Sequence, residues 1–243
     1  MRDYKIETEK RVAFIRKQLE ASGAKGIIFG NSGGKDAVLT GILCKLACDD
    51  TVGLIMPCCS SCNYGDDMTD ALMISDLFRI EDRKADLTKT FEALQKSLGK
   101  ATKLTESAVI NIAPRLRMAS LYAVAASENR LVAGTGNRSE RHMGYFTKWG
   151  DGAFDFNPIA DLTVTEIFEY LIHLNVPKRI IEKAPSAGLY DGQTDEEEMG
   201  VSYKSIDKYL LDGSCAQEDM VIIGNYHRVS EHKRKPPAVY EGQ

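Results

Sequence analysis

Three short apolar runs, each closed by glycine or proline and each leading into a different kind of segment, constrain the fold most. They are 24-AKGIIF-29 ahead of Gly30, 51-TVGLIMP-57, and 130-RLVAGT-135. None alternates apolar with polar residues, so each reads as a strand buried on both faces, as in a parallel sheet covered by helices. Helical patterns fill the intervals. Within residues 3–22, Val12, Ile15 and Leu19 recur at helical spacing with Phe14 beside them. Further helices are expected over 36–48, 66–78, 88–98 and 111–129, the last with Asn111 near its start and Pro114 tolerated in its first turn. A weaker strand is expected over 79–87. Beyond residue 160 the pattern predicts helices over 163–174, 177–183, 201–211 and 216–230, an acidic loop over 184–199, and a tail from 232-HKRKPPAVYEGQ-243. With no repeat and no Pro/Gly/Ser linker, residues 1–243 are expected to form one α/β domain: a doubly wound, Rossmann-like parallel sheet flanked by helices. Ligands in such folds gather at the carboxyl ends of the strands.

Two Gly-rich loops stand at that edge, 30-GNSGGKDA-37 and 134-GTGNRSE-140, each directly after an expected strand. The first is not a Walker A loop. That motif needs glycine five positions before Gly34 and a hydroxyl residue after the lysine, where this chain has Phe29 and Asp36. In 32-SGGKD-36 the small residues let backbone N–H groups converge on one anion, with a helix N-terminus behind them and Ser32 as a further donor. Asp36 would repel phosphate unless a cation lay between them, which suits a Mg²⁺ ligand. A plain Gly-rich turn with Asp36 as a helix-start carboxylate is the alternative reading of these five residues.

The rest of the composition narrows the function. No apolar run approaches the ~20 residues of a membrane span, and the charged, amphipathic N-terminus lacks the apolar stretch of a secretory signal. A net charge of −4 argues against a nucleic-acid-coating surface. Six cysteines without a signal peptide suggest free thiols in a reducing cytoplasm. The 58-CCSSC-62 cluster lacks a second C-x-x-C or a nearby histidine pair to close a four-ligand zinc site, so it reads as small residues after a buried strand.

SGGxD after a first strand resembles the fingerprint of the N-type ATP pyrophosphatases, of the adenine nucleotide alpha hydrolase-like fold, whose loop grips the departing pyrophosphate while AMP is transferred. Two long stretches sharpen the likeness. The run 134-GTGNRSERHMGYFTKWGDGAFDFNPIADLTVTEIFEYL-171 and the run 182-EKAPSAGLYDGQTDEEEMGVSYKSIDKYL-210, with its QTDE and G-x-x-Y-x-x-ID, are similar to the signatures of ammonia-dependent NAD⁺ synthetases. So are 111-NIAPRLRM-118, with Pro114 for the usual alanine, and 232-HKR-234. These pieces span most of the chain in family order.

The resemblance implies a cytoplasmic, homodimeric ligase. Deamido-NAD⁺ would be adenylated by ATP with Mg²⁺ as cofactor, and ammonia would then displace AMP to give NAD⁺. It implies that Gly30, Asn31, Ser32, Gly33, Gly34, Lys35, Asp36 and Ala37 hold the ATP phosphates, with Lys35 adding positive charge, and that Thr135 and Ser186 contact ATP. Asp36 and Glu140 would hold Mg²⁺; Arg115, Lys148, Asp155, His232 and Lys233 would hold deamido-NAD⁺. Asp36, Lys35 and Ser32 would carry the chemistry. The acidic segment 184–199 would act as a lid, with Gly188 and Gly192 as hinges. The chain starts too near its first strand to hold the glutaminase domain of longer relatives, so free ammonia or a separate protein would supply the nitrogen. Three departures cost polar groups: Ala37 for serine, Val164 for an ATP-contacting lysine, and Gly188 for an acid. An enzyme that adenylates another acceptor and a relative that has lost turnover are the competing expectations.

Overall fold

Ile27, Ile28 and Phe29 follow one another along the first strand, yet they serve two separate cores. A strand sends successive side chains to opposite faces, so Ile27 and Phe29 join the cluster with Val38, Leu39 and Ile42, while Ile28 joins Val52, Leu54 and Val132 on the other face. All three are at most 1% exposed, each contributing about 1.5–3 kcal/mol of apolar burial. The unbroken apolar run is the one-dimensional trace of a sheet covered on both sides.

These relations come from a computed structural model that describes residues 2–183, 185 and 194–242. Four parallel strands, β1 (Gly26–Gly30), β2 (Thr51–Ile55), β3 (Glu81–Lys84) and β4 (Arg130–Ala133), lie in the order β3-β2-β1-β4. The register sets Ile28 opposite both Val52 and Val132 at the centre. One face is covered by the helices Tyr4–Ser22, Lys35–Ala47 and Val164–His173 and the other by Ile112–Glu128, giving the expected α/β architecture. Because all four strands run the same way, their carboxyl ends share one edge, and both Gly-rich loops emerge there.

A third cluster, Met143, Val164, Met199, Val201, Tyr203, Ile206 and Ile223, joins the short helix Arg138–Met143 to the helices Tyr203–Asp212 and Gln217–Val229. Asp207, 2% exposed, ties this cluster together by accepting from Ser139 Oγ at 2.5 Å and from the Thr165 amide at 2.7 Å. Val164 is 2% exposed within it, so the position where the resemblance expects a lysine contributes core packing here.

Two local expectations need correction. The segment 184–199 is not loop throughout, because Asp195–Met199 forms a helical turn with Asp195 and Met199 both buried. The tail contains a further turn, Glu231–Arg234, at its start. Ser186, Gly188, Asp191 and Gly192 lie outside the described residues. Among the described residues, no helix is long and apolar enough to cross a membrane.

Candidate active site

The phosphate loop owes its shape to Gly33. Its φ of +72° lies in the left-handed region, and a Cβ there would stand 2.4 Å from the Asp67 carbonyl oxygen, so any side chain would force the loop off the helix Asp66–Phe78. Asn31, 3% exposed, pins the loop to that helix by donating to Ser75 Oγ at 3.1 Å, and its own oxygen accepts from the Gly33 amide at 3.3 Å. The exposed Ser32 accepts from the Gly34 amide at 3.3 Å. The loop N–H groups therefore rest on weak side-chain acceptors that an anion can replace.

The same helix ties the loop to the segment that follows residue 177. Asp70, 1% exposed, accepts from Arg179 Nε at 2.5 Å and Lys183 Nζ at 2.8 Å, while Asp67 accepts from Lys183 at 2.8 Å and from Asn63 at 3.0 Å.

Asp36 lies in the first turn of Lys35–Ala47 and meets the second Gly-rich loop through Asn137. The Asn137 amide nitrogen Nδ2 donates to Asp36 Oδ1 at 3.2 Å, and its backbone N–H donates to Glu140 Oε2 at 3.1 Å. Asn137, completely buried, is also the N-cap of Arg138–Met143, with Glu140 completing a capping box. Glu140 is thus both a helix-start acid and a neighbour of Asp36. Burial, and after it the Asp36 charge, raise the Glu140 pKa well above the ordinary carboxylate value. Two hard oxygen donors held close against their mutual repulsion fit a divalent cation such as Mg²⁺, which commonly takes one or two carboxylates and completes its shell with phosphate and water. Among the described residues no group of three or more His, Cys, Asp or Glu is arranged to hold a metal, so the phosphates would have to supply the other ligands.

Lys35 sits beside this pair with its Nζ 2.7 Å from Asp36 Oδ2. Burial acts to lower its pKa, but Asp36, Glu140 and Asp195 outweigh burial and raise it. The ammonium stands 5.6 Å from the centre of the Tyr203 ring, and the Tyr203 hydroxyl donates to Asp195 Oδ2 at 2.9 Å.

These groups open into a cleft of about 760 Å³ at the carboxyl ends of β1, β2 and β4. Its wall contains Gly30, Asn31, Ser32, Gly34, Lys35, Asp36, Ala37, Thr135 and Glu140 from the expected ATP site, with Lys233 from the expected acceptor site. Gly33 lies buried beneath the loop. The other acceptor residues are not in this wall. Arg115 donates to the Lys148 carbonyl at 3.5 Å, and Lys148 Nζ donates to the His232 carbonyl at 2.6 Å, so these three form an exterior chain. Asp155 accepts from the Val132 amide at 2.7 Å and from the Tyr122 hydroxyl at 3.2 Å. Lys233 donates to the carbonyls of Gly144 and Phe146 at 2.7 and 2.8 Å, and burial lowers its pKa.

Several cleft residues escape the reading of the sequence. Arg117, two places after Arg115, donates to the Met56 carbonyl at 3.1 Å and Asn63 Oδ1 at 2.8 Å and lines the cleft. Lys183 and Asp195 also line it. The signals are in the sequence: Asp195 is the first acid of QTDE and Arg117 the second arginine of NIAPRLRM, while Tyr203, which donates to Asp195, is the tyrosine of G-x-x-Y-x-x-ID. Nearby, the Cys58 and Cys59 sulfurs are 3.9 Å apart, and burial followed by the Cys59 charge pushes the Cys58 thiol up to about 12.

Comparison with known proteins bears on this geometry. The family model described as NAD synthase matches residues 7–237. The NH(3)-dependent NAD(+) synthetase of Carboxydothermus hydrogenoformans is 44% identical over 240 residues, covering 98% of both chains. Among solved structures, the NMN synthetase from Francisella tularensis superposes with a TM-score of 0.94 at 37% identity, covering 100% of both chains. The NH3-dependent NAD synthetase from Campylobacter jejuni superposes with a TM-score of 0.82 at 30% identity, covering 99% of this chain and 100% of that one.

Proposed function

This chain belongs to the NAD synthase family, and from that premise we propose that it is a ligase amidating deamido-NAD⁺ with ammonia at the expense of ATP. The single observation that carries this reading is the convergence of the SGGKD loop with the Asp36–Glu140 pair in one cleft. A carboxylate does not exchange oxygen for nitrogen at neutral pH, because oxide is a poor leaving group. In the proposed reaction a nicotinate carboxylate oxygen attacks the α-phosphorus of ATP, and the bond to pyrophosphate breaks. Ammonia then attacks the activated carbonyl; AMP departs with the transferred oxygen, and the nitrogen releases a proton.

The chain's own residues would serve these steps by position and charge. The Gly33 and Gly34 amides and the Ser32 hydroxyl, now engaged within the loop, would turn to the β- and γ-phosphates, and Thr135 at the end of β4 would contact ATP. A Mg²⁺ held by Asp36 and Glu140 would neutralise phosphate charge and so make pyrophosphate a better leaving group. Lys233, fixed on two carbonyls at the cleft wall, would orient the acceptor, with Arg115, Lys148, Asp155 and His232 engaging its outer parts. A second copy of the chain would complete that outer surface. Arg115, Ala119, Ala123 and Ala126 form an exposed strip along Ile112–Glu128 whose small side chains allow close helix approach, and sedimentation of a dimer would support this.

A second acceptor is favoured by one specific observation. Of the five acceptor residues only Lys233 lines the cleft, and the NMN synthetase superposes over its whole length. Nicotinate mononucleotide carries the same reacting carboxylate without the adenylate half. Purified protein with ATP, Mg²⁺ and ammonium, offered deamido-NAD⁺ and nicotinate mononucleotide in competition, separates the readings. Equal amounts of NAD⁺ and AMP support the first, and preferential NMN formation supports the second. AMP formation with neither amide, or no AMP at all, contradicts both.

A further inference from the structure

Lys35 and a divalent cation have claims on the same carboxylate oxygen. The Lys35 side chain is 7% exposed, and its ammonium is enclosed by groups from separate elements: Asp36 Oδ2 at 2.7 Å, the Tyr203 ring at 5.6 Å, and the charges of Glu140 and Asp195. Asp36 cannot turn away easily, because Asn137 holds its other oxygen, and Asn137 is itself locked as a buried helix cap. Mg²⁺ binds carboxylate oxygens at about 2.1 Å, so an ion on Asp36 Oδ2 would lie no farther than about 5 Å from the ammonium as placed here. At that range a single and a double positive charge in a water-poor pocket repel strongly. The two do not share the site on equal terms.

We propose that Lys35 is a built-in competitor for the divalent-cation site. Its ammonium keeps the Asp36–Glu140 pair assembled and is displaced from Asp36 only when the cation arrives with a polyphosphate, whose oxygens give the ammonium a new partner. Cation and nucleotide binding are thereby coupled: the cation alone binds weakly, and nucleotide strengthens it by taking Lys35 away. This rests on the reading that Asp36 and Glu140 hold the cation. It differs from a purely structural ion pair, whose loss would leave buried carboxylates unpaired without creating affinity for a metal.

The test uses Mn²⁺ as a paramagnetic probe on the full chain. Free Mn²⁺ is measured by electron paramagnetic resonance, without nucleotide and with the uncleavable α,β-methylene analogue of ATP. Lys35→Met is expected to bind Mn²⁺ alone at least about tenfold more tightly than the parent, the effect of removing one nearby charge. It should also lose most of the strengthening that the analogue gives the parent. Lys35→Arg, which keeps the charge, should behave as the parent does. If Lys35→Met does not fold by circular dichroism, Lys35→Gln carries the same expectation. Equal or weaker Mn²⁺ binding by the folded uncharged variant overturns the proposal, while tight binding by the parent with the analogue would leave the metal reading standing. No Mn²⁺ binding to the parent even with the analogue overturns both.

Discussion

At one end the cleft is built from eight consecutive residues, Gly30 to Ala37, pinned by buried Asn31 to the helix Asp66–Phe78 and by buried Asn137 to the second Gly-rich loop. The groups expected to hold the acceptor come instead from the helix Ile112–Glu128, the segment 145–155 and the turn Glu231–Arg234; only Lys233 lines the cleft, and the basic side chains rest on backbone carbonyls. The first set presents loop amides and a carboxylate pair that are already assembled. The other is a collection of donors held on internal acceptors until something better replaces them. On the proposed reading, ATP would be bound and activated in a closely tied frame and the acceptor chosen by a more adjustable one.

Asp36→Asn should break the contrast most completely. It keeps the shape of the phosphate end but removes the charge shared by Lys35, Asn137 and the proposed cation. Adenylation, followed as acceptor-dependent pyrophosphate release, is expected to fall about 10³-fold, corresponding to several kcal/mol of lost charge stabilisation. Acceptor affinity by calorimetry should change less than about threefold. A variant with full activity would remove Asp36 from the chemistry. Lys233→Met probes the opposite end: the KM for the acceptor should rise about tenfold or more, the value of one charge-assisted hydrogen bond, while the KM for ATP stays near that of the parent.

A pH effect is expected to separate the two ends by a smaller margin. His142 lies two residues beyond Glu140 and stacks on His227 at 4.1 Å, joining Arg138–Met143 to the helix that leads to Lys233. Burial, and then the charges of His227, Arg234 and Arg138, lower its pKa from 6.5 to about 4. The unfolded chain therefore binds a proton in that window and the folded chain does not. Stability from neutral His142 is complete above pH 6.5 and is lost as pH falls toward 4. The side chain is only partly buried, which leaves a discounted effect of about 1–2 kcal/mol. Thermal midpoints across this range should fall more steeply for the parent than for His142→Phe, which retains a stacking ring but does not titrate. Parallel curves would discount the histidine pair. Smallest of all is Ala37→Ser. Ala37 is 3% exposed and its methyl joins the main core, so restoring the hydroxyl should alter the rate by less than about fivefold.

The same contrast explains what could be read from the sequence. β1, β2 and β4 were visible because burial on both faces writes an uninterrupted apolar run, as in Ile27-Ile28-Phe29. β3, Glu81-Asp82-Arg83-Lys84, carries no such mark: it is an edge strand defined by pairing with β2, and its side chains are largely exposed. The phosphate loop is a local motif, so its residues were found together. At the acceptor end, resemblance singled out Arg115 but not Arg117, and helical geometry turns residues two apart toward different sides. Arg117 faces the cleft while Arg115 joins the exterior chain. The turn Asp195–Met199 was hidden because four consecutive acids read as a solvated loop, whereas Asp195 is buried against Tyr203 and Met199 in the third core.

In the proposed reaction the cleft joins an acceptor carboxylate to AMP before ammonia arrives. Deamido-NAD⁺ labelled with ¹⁸O in its carboxylate, incubated with protein, ATP, Mg²⁺ and ammonium, tests it directly by mass spectrometry of the products. The expected result is a single labelled oxygen in the phosphate of each AMP and none in pyrophosphate. AMP that carries no label while NAD⁺ is formed would contradict it.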